Sequence, residues 1–347
     1  MKAGILRNPN DIVFGEVPDP VPDRGDLILR VRAATVCGTD IRILRGKKTM
    51  GIRYPSIIGH EFAGEVVESG GSHFTRGQRV TVDPAIPCGH CHYCKTGAEN
   101  ICANLTAIGY ELDGAFAEYV KVPARALACG NVREIPDTLS YEEAALTEPL
   151  ACVVNGQQRV AVKPGDSVVV LGAGPIGLLH IMLARLSGAR RVIVNEPNAM
   201  RRAAARAVGA DVAIDPTTVD PVAAIRAETA GLGADVAIVA IGIPTLANLA
   251  LTLVKQRGRV SLFAGFSAGE TADLDVNRIH YGELMVTGAF GLSRATFDLA
   301  FDLLASKRID VKPFITQRFS LSDIGPALDC AAGGTAIKVA IMADQDV

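Results

Sequence analysis

Four of the eight cysteines in this sequence lie close together and could bind a metal ion. The four are Cys88, Cys91, Cys94 and Cys102. Their spacings of three, three and eight positions allow one loop to surround a single ion with thiolates. Zinc prefers a tetrahedral set of this kind, and four protein thiolates leave no position open for a substrate, so the spacing predicts a structural zinc site. Free thiols in a surface loop are the alternative, and such clustered thiols would be prone to oxidation.

A glycine-rich turn could bind the phosphates of a dinucleotide. It follows an apolar run and opens a helical pattern, as a GxGxxG turn requires. The second glycine lets backbone N–H groups approach the pyrophosphate, the third allows helix and strand to pack closely, and the helix N-terminus provides positive potential. An ordinary strand-to-helix turn is the alternative. The predicted cofactor-binding residues of the turn are Gly172, Gly174, Pro175, Ile176 and Gly177.

An acidic residue lies where a dinucleotide site needs one. Glu196 ends the second apolar run of this region, about 20 residues past the turn, where a carboxylate accepts a hydrogen bond from the ribose 2′-hydroxyl. A carboxylate there repels the 2′-phosphate of NADP, so Glu196 predicts NAD as the cofactor. Arg201 and Arg202 follow closely and could hold a phosphate. A solvated helix face is the alternative for these two arginines.

Length and charge limit the possible classes of function. The 347 residues are 49% hydrophobic, enough for two domains with buried cores. The 35 basic and 37 acidic side chains give a net charge of −2, which provides no general attraction to nucleic acid or to an anionic membrane. The N-terminus shows no secretory signal pattern, so a cytoplasmic location is expected. We expect a small-molecule substrate, with neither nucleic acid nor membrane as a partner.

The sequence pattern changes before the middle of the chain. Residues 1–150 contain short β-branched runs separated by Gly, Pro and Asp, which is typical of a barrel-like β domain. From Lys163 onward, apolar strands alternate with helical segments, which favours a parallel sheet covered by helices. The predicted fold class is therefore α/β, with a β-rich part followed by a doubly wound parallel sheet.

Several short motifs occur in the order found in one enzyme family. They are CGTD at 37–40, GHE at 59–61, the four-cysteine loop, EP at 148–149, GAGPIG at 172–177 and IKV at 337–339. In this order the sequence resembles, from end to end, the zinc-dependent medium-chain alcohol dehydrogenases. The EP dipeptide resembles the sorbitol or polyol dehydrogenase-like branch. The resemblance implies a GroES-like catalytic domain from residues 1–150 and 290–347, and a Rossmann domain from residues 151–289.

The resemblance also implies a second, catalytic zinc ion. Carried over by motif, Cys37 and His60 match two of its ligands. Glu148, in the EP dipeptide, matches the acidic ligand of the polyol branch. Glu61 matches an exchangeable ligand, or a residue that lies behind the ligands.

Four further residues receive roles from the resemblance. Asp40 matches the acid that orients the ligand histidine, and Thr39 matches the hydroxyl that takes the proton of the alcohol. Lys338, in the closing IKV segment, matches a basic residue that contacts the pyrophosphate, and a surface lysine is the alternative. Arg42 stands where many members have the histidine that ends the proton relay, so the resemblance does not specify the exit route of the proton.

The loop that follows Thr39 is strongly basic, although the whole protein is slightly negative. Its five cations, with no acid among them, are Arg42, Arg45, Lys47, Lys48 and Arg53. Arg42 lies five residues from Cys37, and guanidinium groups bind carboxylates and phosphates in a bidentate manner. The loop suggests an anionic substrate held by Arg42 and Arg45, and a solvated surface loop is the alternative.

Together these features predict an NAD- and zinc-dependent dehydrogenase with two zinc ions per chain. Its predicted substrate is a secondary alcohol, either a polyol or a sugar-derived compound. The alternative is a non-catalytic dinucleotide-binding redox sensor, or another structural relative with the same fold. A homo-oligomer, either a dimer or a tetramer, is expected.

Overall fold

A computed structural model describes residues 1–267 and 269–342, and the chain divides into two compact units. The first unit comprises Met1–Ala151 and Gly291–Val347, and the second comprises Cys152–Phe290. The last five residues of the predicted 290–347 segment lie outside the described residues.

The described residues form strands and helices in the following order along the chain. The strands are β1 (Lys2–Asn8), β2 (Asp11–Glu16), β3 (Leu27–Thr35), β4 (Ser56–Ile57), β5 (Glu61–Ser69), β6 (Arg79–Val82), β7 (Ala85–Ile86), β8 (Thr106–Ala107), β9 (Tyr119–Val122), β10 (Val132–Glu134), β11 (Ser167–Leu171), β12 (Arg191–Asn195), β13 (Val212–Ile214), β14 (Ala234–Val239), β15 (Val254–Leu262), β16 (Met285–Gly288), β17 (Ile315–Ser320) and β18 (Lys338–Met342). The α-helices are α1 (Gly38–Leu44), α2 (His92–Lys95), α3 (Ala124–Ala128), α4 (Tyr141–Ala145), α5 (Thr147–Arg159), α6 (Pro175–Leu186), α7 (Ala199–Ala207), α8 (Pro221–Glu228), α9 (Pro244–Leu253), α10 (Val276–Tyr281), α11 (Arg294–Ala305) and α12 (Ile324–Gly333).

Strand β3 is central to the larger sheet of the first unit. The sheet has the order β10-β6-β5-β3-β18-β17, and β9 also pairs with β3. The segment that forms β3 is rich in aliphatic residues and largely buried, as a strand covered on both faces must be. Thr35 of β3 lies opposite Glu61 of β5 on one side and opposite Ala340 of β18 on the other. Strand β18 is therefore separated from the strand that carries Glu61 by β3 alone.

The second unit contains one parallel sheet of six strands. Its order is β13-β12-β11-β14-β15-β16, which is the order of doubly wound dinucleotide-binding folds. All five residues of β11 are buried, as expected for a central strand covered by helices on both faces. The apolar side chains of its strands and helices form a core that lies within this unit. The α/β class predicted from the sequence is confirmed.

None of the helices within residues 1–267 and 269–342 combines the length and the apolar character that crossing a bilayer requires.

Candidate active site and metal centres

The four clustered cysteines meet in space. The Sγ atoms of Cys91 and Cys94 are 3.5 Å apart. The Sγ of Cys94 lies 3.9 Å from that of Cys88, and the Sγ of Cys91 lies 3.9 Å from that of Cys102. Sulfur atoms at the corners of a tetrahedron around zinc, with bonds of about 2.3 Å, are separated by about 3.8 Å. The four thiolates therefore fit a closed zinc site.

Backbone N–H groups support this sulfur cluster. The sulfur of Cys102 accepts hydrogen bonds from the N–H of Cys88 at 3.2 Å and from the N–H of Asn104 at 3.3 Å. The N–H of His90 lowers the pKa of the Cys88 thiol to about 6, whereas burial raises the pKa of Cys94 to about 12. At least one sulfur of the cluster is thus predisposed to the thiolate form that metal binding requires.

A second group of metal-ligand atoms forms from residues that are distant in the sequence. The Sγ of Cys37, a ring nitrogen of His60 and a carboxylate oxygen of Glu61 all lie within 4.8 Å of one another. Cys37 immediately precedes α1, His60 immediately precedes β5, and Glu61 is the first residue of β5. A thiolate, an imidazole and a carboxylate form a mixed set of the kind that zinc takes in catalytic sites, so the residues present fit such an ion.

Asp40 orients the ring of His60. It is completely buried, and its Oδ1 lies 3.1 Å from Nδ1 of His60. Its Oδ2 accepts the backbone N–H of Cys37 at 2.8 Å. A histidine whose Nδ1–H faces a carboxylate presents Nε2 to a metal, which is the usual arrangement of ligand histidines. One carboxylate thus holds both Cys37 and His60 in place.

The backbone just before His60 requires glycine. Gly59 has a φ of +98°, in the left-handed region that side chains disfavour. The ring of Phe116 lies only 2.6 Å from the point where a Cβ would stand at Gly59. Any other residue here would displace either that ring or the backbone that directs His60.

Glu61 is held by a buried cation. The Nζ of Lys338 lies 2.5 Å from Oε2 of Glu61, and the two side chains are 3% and 0% exposed. The hydroxyl of Thr35 donates to the same oxygen. Within residues 1–267 and 269–342, Oε1 of Glu61 has no hydrogen-bond partner, so it is available to a metal. The alternative that Lys338 is a surface lysine is wrong, because β18 buries it beside Glu61.

Negative charge around His60 makes this site favourable for a cation. Burial alone lowers the pKa of His60, but interactions with Tyr110 and Asp40 outweigh burial and raise the pKa well above its usual value. Burial also lowers the pKa of Lys338, and the charge of Glu61 more than reverses this effect. The carboxylates of Asp40 and Glu61 contribute negative charge to these shifts, and a bound cation would neutralise it.

Three other residues predicted for this site lie in or near it. Thr39 is partly exposed in the first turn of α1, and Arg42 is half-buried in the same helix. Glu148 lies at the start of α5. Burial raises the pKa of Tyr110, and the charge of Glu148 adds to that shift. The group within 4.8 Å consists of Cys37, His60 and Glu61 and does not include Glu148.

Tyr110, which is absent from the residues predicted from the sequence, borders His60. The centres of the two rings are 5.2 Å apart, and their planes are inclined by 51°. The Nζ of Lys48 lies over the same tyrosine, 4.8 Å from the ring centre. No motif marks Tyr110, and Lys48 differs in no way from its neighbours in the basic loop. Only the folded chain brings the tyrosine and the lysine to the histidine.

The glycine-rich turn connects β11 to α6. Gly172 has a φ of +99°, and a Cβ at Gly177 would collide with the carbonyl oxygen of Gly172. No described atom beyond its chain neighbours lies within 4 Å of the Cβ position at Gly174. Gly174, Pro175 and Ile176 are partly exposed. The open space at Gly174 fits the close approach of a pyrophosphate to the backbone.

Glu196 contacts the same turn from the end of β12. It is 5% exposed, and its carboxylate accepts the backbone N–H of Ala173 at 2.8 Å and that of Asn198 at 2.9 Å. The carboxylate therefore lies at the edge of the glycine-rich turn, where the ribose of a dinucleotide binds in this fold. Its position fits a site for NAD.

The two arginines that follow Glu196 differ in their surroundings. The guanidinium of Arg202 donates to the carbonyl oxygens of Glu196 at 2.9 Å and Pro197 at 2.6 Å, and it pairs with Asp215 at 2.9 Å. The side chain of Arg202 is only 15% exposed, so the alternative of a solvated helix face is wrong for this residue. Arg201 lies partly buried near the start of α7.

Two family models match the chain. Residues 23–137 match the alcohol dehydrogenase GroES-like domain. Residues 175–306 match the zinc-binding dehydrogenase domain. The first match lies within the β-rich unit, and most of the second lies within the unit that contains the parallel sheet. The two matches confirm the GroES-like and Rossmann-like parts of the predicted fold.

Similar proteins match nearly the whole chain. The L-threonine 3-dehydrogenase of Pyrococcus furiosus is 37% identical over 335 residues, which cover 94% of each chain. The sorbitol dehydrogenase of Bacillus subtilis is 31% identical, over 95% of this chain and 93% of that one. A zinc-binding dehydrogenase of Sinorhizobium meliloti, solved with NADP bound, is 36% identical, with a TM-score of 0.92 over 98% of both chains. These matches, together with the geometry of the two metal-ligand sets, show that the chain belongs to the zinc-dependent medium-chain alcohol dehydrogenase family.

Proposed function

We propose that this chain is an NAD- and zinc-dependent dehydrogenase that oxidises a secondary hydroxyl of a polyol or sugar-derived substrate. The observation that carries the proposal is the group formed by Cys37, His60 and Glu61, with Asp40 holding the first two in place. Three protein ligands with a further open position are the donor set of a catalytic zinc. Membership of the alcohol dehydrogenase family supports the assignment.

We assign two zinc ions to each chain. The closed cysteine set binds a structural ion, and the open set binds a catalytic ion through Cys37 and His60, with Glu61 or Glu148 as the acidic ligand. The catalytic ion, when bound, supplies Lewis acidity that lowers the pKa of the substrate hydroxyl. We assign residues 1–150 and 290–347 to the catalytic domain and residues 151–289 to the dinucleotide-binding domain.

The proposed reaction moves a hydride and a proton in different directions. NAD, when bound at the glycine-rich turn, would accept a hydride from the hydroxyl-bearing carbon and be reduced to NADH, so that the secondary alcohol would be oxidised to a ketone. Thr39, partly exposed in α1, takes the hydroxyl proton and passes it to water. Arg42 cannot relay this proton, because a guanidinium keeps its protons at neutral pH.

The cofactor assignment rests on the glycine-rich turn and Glu196. The turn leaves space for a pyrophosphate at Gly174. The carboxylate of Glu196, fixed by the backbone N–H groups of Ala173 and Asn198, favours a ribose hydroxyl over a ribose phosphate. The relative from Sinorhizobium meliloti was solved with NADP. The proposal of NAD for this chain therefore rests on Glu196 and is not carried over from that relative.

The basic loop supports an anionic substrate. Arg42 and Lys48, which lie in or just after α1, place positive charge close to the proposed catalytic site. The names of the relatives cover both an uncharged polyol, sorbitol, and an amino acid with a carboxylate, threonine. Guanidinium and ammonium groups bind such carboxylates strongly when partly shielded from water.

The test is NAD reduction by the purified, zinc-loaded protein, followed through the absorbance of NADH. The substrates are sorbitol, gluconate, sorbitol 6-phosphate and L-threonine. We expect turnover with at least one of these compounds, and its loss in Cys37→Ser. If the protein binds NAD but oxidises none of these compounds, the non-catalytic alternative is supported instead. Light scattering of the same sample measures the oligomeric state, for which we expect a dimer or a tetramer.

A further inference from the structure

The basic loop after α1 folds back on itself. The backbone N–H groups of Lys47 and Lys48 donate to the carbonyl oxygen of Arg42, at 2.8 and 3.2 Å, and so reverse the chain direction at the end of the helix. Further along the loop, Arg53 pairs with Asp113 at 2.8 Å. The loop is thus fixed at both ends, and the position of Lys48 follows from backbone contacts as well as from its own side chain.

Lys48 lies over the aromatic ring that borders the candidate zinc ligand. Its Nζ is 4.8 Å from the ring centre of Tyr110, and the ring centre of Tyr110 is 5.2 Å from that of His60. A cation over the face of an aromatic ring is attracted by the ring quadrupole, which restrains the ammonium without neutralising its charge. The ammonium and the ligand imidazole therefore both border Tyr110.

The ammonium of Lys48 is only partly solvated. Lys48 is half-buried, and burial lowers its pKa. The charge of Glu111 opposes this shift, and the charge of Arg42 adds to it. Among the residues that the structure describes, no carboxylate forms an ion pair with Lys48. A partly desolvated cation beside a second cation interacts strongly with an anion that reaches it.

We propose that Lys48 determines substrate specificity: its ammonium binds a carboxylate or phosphate group of the substrate whose hydroxyl reacts beside His60. The inference rests on the proposed function, because it defines the class of substrate for that same site. The substrate is a secondary alcohol that carries an acidic group a few carbons from the reacting hydroxyl. Tyr110 restrains the ammonium, and Arg42 adds positive potential.

The kinetic test compares Lys48→Met with wild type on matched substrates. Methionine keeps the length of the apolar stem and removes the charge. We expect kcat/KM for gluconate or sorbitol 6-phosphate to fall by about 10- to 100-fold, mainly through KM, because a hydrogen bond to a charged group is lost. For uncharged sorbitol, kcat/KM should stay within about threefold of wild type. Lys48→Arg, which keeps a positive charge, should retain most of the preference for the charged substrates.

A matched control comes from the neighbouring position. Lys47 is exposed in the same loop, so Lys47→Met removes one charge from the same segment without changing the group over Tyr110. This variant should discriminate between sorbitol and gluconate as wild type does. If Lys47→Met and Lys48→Met weaken gluconate turnover equally, general attraction by the basic loop explains the effect and the inference is wrong. Thermal melting of each variant establishes that it is folded, and Lys48→Gln replaces Lys48→Met if the latter is not.

A binding measurement tests the inference without turnover. Calorimetry measures the Kd of gluconate, sorbitol 6-phosphate and sorbitol on the zinc-loaded protein with NADH. If Lys48→Met binds the two anions more weakly and sorbitol as tightly as wild type does, the role of Lys48 is supported. This holds even if no compound is oxidised, and in that case only the proposed function is wrong. The inference is wrong if Lys48→Met weakens the binding of anions and of sorbitol equally, or if wild type binds neither anion. Either result would still allow NAD-dependent oxidation of other alcohols.

Discussion

Glu61 has two carboxylate oxygens in different surroundings. Oε2 contacts Lys338 and Thr35, whereas Oε1 has no hydrogen-bond partner among residues 1–267 and 269–342. A buried carboxylate and a buried ammonium stabilise each other, because either charge alone would be poorly solvated in the interior. Lys338 therefore offsets the free-energy cost of burying the charge of Glu61. Because it contacts only Oε2, it leaves Oε1 available to another partner.

Removal of Lys338 should reduce stability strongly. We expect Lys338→Met to lower the free energy of unfolding by about 3 to 5 kcal/mol, since Glu61 would be left buried without its cation. The double variant Lys338→Met/Glu61→Leu should recover much of this loss, because no unpaired charge remains. Urea unfolding of the metal-free proteins measures both effects. A single variant as stable as wild type would show that the pair contributes nothing to the fold.

The cofactor preference should depend on Glu196. We expect wild type to use NAD at least about tenfold more efficiently than NADP, and Glu196→Gln to reduce this ratio several-fold, because the amide removes the repulsion and keeps an acceptor for Ala173. The ratio of kcat/KM for the two cofactors is the measurement. Equal or greater efficiency of wild type with NADP would contradict the prediction and would point to Arg201 as a phosphate-binding residue.

The two metal-ligand sets are built by elements of different kinds. The four cysteines belong to one irregular segment around α2, whose sulfur atoms are supported by N–H groups of the same segment. The open set combines the residue before α1 with the residue before β5 and the first residue of β5. Loss of the first set should therefore disorganise one loop, whereas loss of Cys37 from the second should leave the strands in place.

Substitution of one cysteine in each set should separate structure from activity. Cys91→Ser should lower the zinc content from two ions to one and lower the thermal midpoint by several degrees, because structural zinc contributes to folding. Cys37→Ser should abolish turnover while NAD binding and the thermal midpoint change little. Metal analysis, melting curves and NAD titration measure these quantities. Active protein with a single zinc ion per chain would contradict the assignment of two sites.

The sites that depend on residues close together in the chain are the ones that the sequence predicts best. The cysteine spacing and the glycine-rich turn are local patterns, and their chemistry follows from a few adjacent positions. The pairing of Lys338 with Glu61 depends instead on β18 lying beside β3 in one register, and no local pattern specifies that register. The position of Lys48 over Tyr110 is non-local in the same way. Charged residues at such positions look like ordinary surface residues until the strands and loops are placed.

The stability of the protein should depend on pH through a buried histidine. His180 of α6 is completely buried, Gln157 donates a hydrogen bond to its carbonyl oxygen at 2.7 Å, and Phe263 packs against its ring with centres 4.6 Å apart. Burial lowers the pKa of His180 to about 3. In the unfolded chain the ring takes up a proton as the pH falls through about 6.5, whereas in the folded protein it stays neutral.

The contribution of neutral His180 to the free energy of unfolding is thus fully present above pH 6.5, and it is lost as the pH falls towards 3. Between about pH 7.5 and pH 5 we expect wild type to lose about 2 kcal/mol more stability than His180→Leu, which has no ring to protonate. Urea unfolding at the two pH values measures the difference. His280→Leu, at an exposed position, serves as the control and should behave as wild type does. Parallel pH profiles for wild type and His180→Leu would contradict the prediction.

The order in which the ribosome synthesises the chain gives the position of β18 a further consequence. This strand lies inside the seven-stranded sheet, between β3 and β17, and it carries the lysine that balances Glu61. A nascent chain that has already completed residues 152–290 still lacks this interior strand and the partner of a buried acid. The unit with the parallel sheet can fold while synthesis continues, but the unit that contains β18 must wait until residue 342 has left the exit tunnel. A ribosome stalled before β18 has emerged therefore holds a chain in which the unit with the parallel sheet can be folded while the other unit is incomplete.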